Sequence, residues 1–202
     1  MLTGREPKVS PLSLFVPEDQ YILAFKSLNK LLDVLDLNNR WGAHVIIQTK
    51  REKRNHRVNE RLKTQLAVKT DLLTRPFYNL VVDEVIVTGS DLYVREGSDV
   101  TLPFRFKQPQ VFKFRMDGFL NSFEKLISNT KRTHGEYLGV KYVHVTAPDR
   151  RIHVFFAYPK DSLHIRSNSL VGLQRVLEAI RGKTPDGRKV NRIGENDEFK
   201  YI

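Results

Sequence analysis

The sequence predicts an α+β fold, with one or more antiparallel sheets packed by three helices. Three observations predict it. Short apolar runs alternate with polar residues between turn-forming stretches, which is the period of a half-buried strand. Three other stretches repeat their apolar residues every three or four positions, the period of a helix packed on a core. Finally, 202 residues with 40% hydrophobic content suffice for one well-buried core. The expected organisation is an arm over residues 1–16, a single domain over 17–182 with 17–115 and 116–182 as candidate halves, and a polar tail over 183–202.

The elements follow in order. Pro17 at a first helical position, with Glu18 and Asp19 behind it, suits a helix start. Tyr21, Ile22, Phe25, Leu28, Leu32 and Leu35 continue it at helical spacing. Strands are expected at His44 to Thr49, Leu62 to Thr70, Phe77 to Thr88 and Asp91 to Arg95. A hairpin follows, with Val100 to Lys107 and Val111 to Arg115 joined at Gln108-Pro109-Gln110. The second helix starts near Asp117 and carries Phe119, Leu120, Phe123, Leu126 and Ile127. Val140 to Thr146, Arg151 to Tyr158 and Leu163 to Arg166 read as strands. The third helix carries Leu170, Leu173, Val176, Leu177 and Ile180 between an N-cap at Ser167 to Ser169 and Gly182.

FKFRMDGFLNSFEKLI and LHIRSNSLVGLQRVLEAI share one plan: a short strand ending in Arg115 or Arg166, a cap, then an amphipathic helix. A duplicated strands-plus-helix unit would produce this, as would generic α/β patterning. The plan resembles, in architecture alone, that of Whirly and Pur-repeat single-strand-binding proteins. No family motif is matched, and no residue is carried over from the resemblance.

Charge points to the partner. Lys plus Arg number 34 against 23 Asp plus Glu, a net charge of +11. Such a polycation favours phosphate-rich or acidic partners and says nothing about fold. The segment KREKRNHRVNERLK, residues 50–63, carries Lys50, Arg51, Lys53, Arg54, Arg57, Arg61 and Lys63 against two Glu. Nearly half of the excess charge therefore sits in fourteen residues, a basic arm able to follow a phosphate backbone. In the expected hairpin, alternation sets Phe104, Phe106, Phe112 and Phe114 on one face and Arg105, Lys107, Lys113 and Arg115 on the other. Four like charges on one face repel one another, and a phosphate backbone would relieve that.

These features predict a protein that binds single-stranded DNA or RNA mainly through phosphates. Tyr142, Phe155, Trp41 and Tyr78 are candidate stacking residues, and Arg151 is a further cation. Homo-oligomerisation belongs to the same expectation. No zinc-finger spacing, basic helix with heptads or strong helix-turn-helix pattern supports sequence-specific duplex readout.

Two other classes remain. Alternation groups Tyr142, His144 and Thr146 with Arg151, His153 and Phe155, and with His164 and Arg166. On adjacent strands, His144, His153 and His164 with Arg151 and Arg166 could cleave a phosphodiester of RNA or a cyclic nucleotide without metal. His144-Val145-Thr146 resembles one half of the paired His-x-Thr pattern of two-histidine phosphoesterases; neither His164-Ile165-Arg166 nor His153-Val154-Phe155 supplies the other half. The third class is a viral or phage structural or assembly component. Cysteine is absent, which excludes disulfides, thiolate metal sites and thiol nucleophiles. Phosphate-binding, dinucleotide-binding, serine-hydrolase and zincin motifs are missing, and no metal or cofactor is expected. No apolar run is long enough to cross a membrane, and Pro and charge interrupt the N-terminus where a secretory leader would be apolar. A cytoplasmic or nuclear setting, or a host cell for a viral protein, is the corresponding expectation.

Overall fold

The computed structural model describes residues 9–37, 58–68, 74–90 and 99–200. Among them, seven strands form one antiparallel sheet: β1 (Tyr21–Phe25), β2 (Val82–Gly89), β3 (Thr101–Phe106), β4 (Lys131–Tyr137), β5 (Val140–Thr146), β6 (His153–Lys160) and β7 (Leu163–Ser167). Their spatial order is β1-β2-β3-β7-β6-β5-β4. Six helices accompany it among the described residues: α1 (Leu28–Leu37), α2 (Val58–Gln65), α3 (Arg75–Val81), α4 (Pro109–Leu126), α5 (Leu170–Arg181) and the short α6 (Asp197–Lys200). The fold is α+β with an antiparallel sheet, as the sequence predicts, but with six helices in place of three.

The sheet is covered on both faces, so its central strands β3 and β7 are buried along nearly their whole length, polar residues included. Phe104 and Phe106 of β3, with Val154 and Phe156 of β6, face α4, which contributes Phe112, Met116, Phe119 and Leu120 to the main core. Leu28, Leu31 and Leu32 of α1, Tyr78 and Val81 of α3, and the Leu66-Ala67-Val68 turn complete that layer. On the other face, Phe155, Ala157 and Ile165 pack against Leu173, Val176 and Leu177 of α5. Strands followed by a helix do occur twice, but α4 and α5 lie on opposite faces.

The expected hairpin at 104–115 is half helix. β3 ends at Phe106, Gln108 takes a left-handed φ of 49°, and Pro109 opens α4. Phe112, Met116, Phe119 and Leu120 lie on the buried side of that helix, whereas Phe114 is 78% exposed. The four cations therefore do not share a strand face. Arg105 and Lys107 stand near Glu84 at 3.7 Å and Asp83 at 2.6 Å. Lys113 lies 5.2 Å from the centre of the Tyr158 ring, and Arg115 lies 5.8 Å from that of Phe77.

Other boundaries differ as well. The helix expected from Pro17 is strand β1 followed by α1, because Pro17 forms a bridge with Arg192 and the chain enters the sheet at Tyr21. The described part of the strand expected at Leu62 to Thr70, residues 62–68, falls instead on α2 and its closing turn, and that at Phe77 to Thr88 divides into α3 and β2. The strands expected at 44–49 and 91–95, with Trp41, lie outside the described residues. Strand β4 was not expected: its residues are mostly polar because it is an edge strand, with Lys131, Arg132, His134 and Glu136 exposed.

Residues 11–16, expected within an arm, form a 3-10 turn whose Leu12 and Val16 are buried against Ile86 and Leu163. The expected tail joins it. Ile193 donates its backbone N–H to Val16 at 3.0 Å, Glu18 donates to Asn191 at 3.1 Å, and Val190 is buried. The third helix agrees with its sequence signals: Ser169 accepts a hydrogen bond from the Gly172 N–H at 3.1 Å, and Gly182 closes α5 with a φ of 72°.

Candidate anion-binding cleft

A cleft of about 1140 Å³ opens where the N-terminal turn of α5 meets the β5–β6 turn and α2. Its walls include Arg61, Leu62 and Gln65 of α2, Arg150, His153 and Phe155 around the β5–β6 turn, and Asn168 to Val171 with Arg175 at the start of α5. Asp19, Asp99 and Asp149 also line it. Each carboxylate already has a hydrogen-bond partner, two of them within the cleft wall. Asp19 takes both oxygens to Arg175 at 2.6 and 2.7 Å, Asp149 pairs with Arg151 at 2.6 Å, and Asp99 accepts from the Ser90 backbone at 2.8 Å. Hydrogen bonds from Arg151 hold the Asp149 carboxyl below its ordinary pKa. Among the described residues, Arg61 and Arg150 have no carboxylate partner.

Beside them the strand pairing brings two histidines together. Thr146 pairs with His153 and His144 with Phe155 across β5 and β6, so these side chains share one face. His144 lies flat on Phe155, with ring centres 4.0 Å apart and planes 4° from parallel. Arg150 donates to His153 Nε2 at 3.0 Å, which leaves the proton on Nδ1. That Nδ1–H points to Thr146 Oγ1 at 2.9 Å and to His144 Nε2 at 3.3 Å. The Thr146 hydroxyl donates in turn to the Ala147 carbonyl at 3.3 Å.

Burial, Arg150 and His144 push the His153 pKa down to about 4, and burial followed by Arg150 lowers that of His144. Both rings are therefore neutral near neutral pH. Tyr142 covers Gly135 on the neighbouring edge strand, where any Cβ would overlap its ring, and stands 6.3 Å from Phe155.

The third histidine is elsewhere. Phe155 pairs with Ser167 and Ala157 with Ile165, so His164 and Arg166 point to the opposite face of the sheet. Both are fully buried there, and burial pushes the His164 pKa well below its ordinary value. The expected cluster of three histidines with Arg151 and Arg166 is thus reduced to His144 and His153. Arg151 points to Asp149, and the additional cation at this place is Arg150.

Of the basic segment, Arg61 reaches the cleft, whereas Lys63 turns to Asp36 at 3.2 Å; Lys50, Arg51, Lys53, Arg54 and Arg57 lie outside the described residues. No sequence motif or charge cluster marks Arg150, Asn168 or Arg175. The Asp149-Arg150 turn directly before a histidine-bearing strand is the one local signal for the first of them.

Acidification is expected to weaken the fold through the depressed imidazoles. Their unfolded pKa lies near 6.5, and that of folded His153 at about 4, so the unfolded chain binds more protons between these values. Stability is full above about pH 6.5 and falls as pH drops toward 4, with His164 acting in the same direction. For half-exposed His153 the loss is on the order of 1 kcal/mol once solvent screening is included. Urea midpoints measured at about pH 7 and pH 5 check this; an unchanged or higher midpoint at pH 5 contradicts it.

Among known proteins, no family model, no curated sequence and no solved structure matches this chain.

Proposed function

We propose that the chain binds single-stranded nucleic acid, DNA or RNA, with the phosphate backbone in the cleft between α2, the β5–β6 turn and α5. The observation that carries this reading is the convergence of Arg61 and Arg150, neither paired with a carboxylate among the described residues, on one cleft. A guanidinium without a carboxylate is ready to take a phosphate oxygen by charge-assisted hydrogen bonds. The half-buried rings of Tyr142 and His144, the latter backed by the buried Phe155, lie beside it as surface on which a base of a single strand could stack. Residues 50–63 carry seven cations, and Arg61, one of them, lines the cleft.

Among the described residues, no helix is long and apolar enough to cross a membrane. A cytoplasmic or nuclear setting accords with a nucleic-acid partner, and a homo-oligomer would set several clefts along one strand.

Titrating a fluorescent oligonucleotide of about 20 nucleotides at increasing salt tests the proposal. The logarithm of the association constant should fall linearly with the logarithm of salt concentration, with a slope of about −0.7 for each phosphate engaged. Absence of binding at low salt, or a flat salt dependence, would reject it.

The contact between His144 and His153 favours one second reading, metal-independent phosphodiester cleavage. Two features count against it. Imidazole nitrogens 3.3 Å apart leave no room for a phosphate between them, and Arg150 occupies the His153 lone pair. Cleavage of labelled RNA in chelator, lost on His153→Ala, would establish this reading over simple binding.

A further inference from the structure

Arg166 is 1% exposed, yet no carboxylate pairs with it among the described residues. Its partners are all neutral. Nη1 donates to the Leu66 carbonyl at 2.9 Å and to the Ala67 carbonyl at 2.8 Å, Nε donates to His164 Nε2 at 2.9 Å, and the guanidinium lies 5.7 Å from the centre of the Phe156 ring. The two carbonyls belong to the turn that closes α2. There, Val68 donates to Lys63 at 2.9 Å and Ala67 to Thr64 at 3.0 Å, with Ala67 at a φ of 52°. This is a helix-closing motif in which alanine takes the left-handed place usually given to glycine. Carbonyls at a helix C-terminus carry partial negative charge, so a buried cation is their natural partner. Two residues beyond Arg166, Asn168 donates to Gln65 at 3.3 Å, a second tie between α2 and the β7–α5 connection.

We propose that Arg166 is a positioning residue for the cleft: from inside the core it holds the end of α2, and so fixes Arg61 in the cleft wall. The inference rests on the proposed nucleic-acid reading for its binding consequence, but not for the anchoring itself. Arg166 touches no ligand. It acts through the α2 backbone, which carries Arg61 about one and a half turns before the anchored carbonyls.

The test uses the full chain with Arg166→Met, Arg166→Lys and Arg61→Gln, with two readouts. The first is the rate of trypsin cleavage after Arg61 and Lys63 relative to cleavage after Arg181. Arg166→Met should raise it about tenfold, since limited proteolysis follows the population of the locally opened state, while Arg166→Lys, whose ammonium can still reach the carbonyls, restores it to within about threefold. The second is oligonucleotide affinity in a double-mutant cycle. If Arg166 acts through Arg61, then Arg61→Gln should cost little further affinity once Arg166 is Met. Unchanged cleavage, or additive losses in the cycle, would overturn the proposal. If the wild-type chain binds no oligonucleotide, the functional reading falls, and the cleavage ratio alone decides the anchor. Should Arg166→Met not fold, Arg166→Gln, too short to reach the α2 carbonyls, takes its place in both readouts.

Discussion

Replacing Phe112 with Ala is expected to destabilise the protein by about 3–5 kcal/mol, the usual cost of emptying a buried aromatic site, while Phe114→Ala stays within about 0.5 kcal/mol. The contrast is what matters. Phe112 is fully buried, stacked on Phe106 with ring centres 4.0 Å apart and planes 8° from parallel, and 6.4 Å from Phe104. Phe114, two residues on, is 78% exposed on the outer side of α4. In a hairpin the two rings would share a face and both substitutions would be costly, because side chains two apart on a strand point the same way. On a helix, two residues turn the side chain by more than half a revolution. Urea unfolding of the two variants separates these geometries; equal losses would refute the helical register of α4.

That segment also explains which parts of the fold were legible in the sequence. Phe112-Lys113-Phe114-Arg115 alternates, and Pro109 suits either a tight turn or a first helical position. Only continuation to Met116, Phe119 and Leu120 distinguishes the helix, and a strand period read over so short a stretch hides it. The apolar run Tyr21-Ile22-Leu23-Ala24-Phe25 was ambiguous in the same way, and its pairing with β2 is a long-range contact. By contrast, α5 carries its own boundaries in Ser169 and Gly182, and β5 and β7 were found within a residue of their ends because their signals are local.

The cleft was less legible than the fold. Faces within one strand follow from alternation, so His144 with Thr146, and His153 with Phe155, were grouped correctly. Relative parity between strands does not follow. The pairing of Phe155 with Ser167 sets Ile165, and not His164, on the cleft side, and this one-residue difference removes His164 and Arg166 from the expected cluster. Arg61 and Arg150 are 89 positions apart in the chain, and that both line one cleft depends on how α2 docks. Composition predicted a basic surface; only packing distinguishes the cations already neutralised, such as Lys107 on Asp83, from those left available.

The distinction between paired and available cations has a direct consequence for binding. Arg61→Gln and Arg150→Gln are each expected to weaken oligonucleotide binding about threefold to tenfold, and the double variant about thirtyfold, with a salt slope shallower by about 1.4. Lys107→Gln, which removes a cation held by Asp83 at 2.6 Å, is expected to change affinity less than about twofold. Protons should enter the same balance. Arg150 helps to depress the His153 pKa to about 4 and donates to its Nε2. A phosphate that engages Arg150 would offset that positive charge and add a negative one, raising the pKa of His153 in the complex above its value in the free protein. The complex then takes up protons, so affinity should rise as pH falls from about 7 toward 5, and Arg150→Gln should flatten the rise. Affinity that is independent of pH in the wild type, or a Lys107→Gln loss equal to that of Arg150→Gln, would place the phosphate contacts outside this cleft.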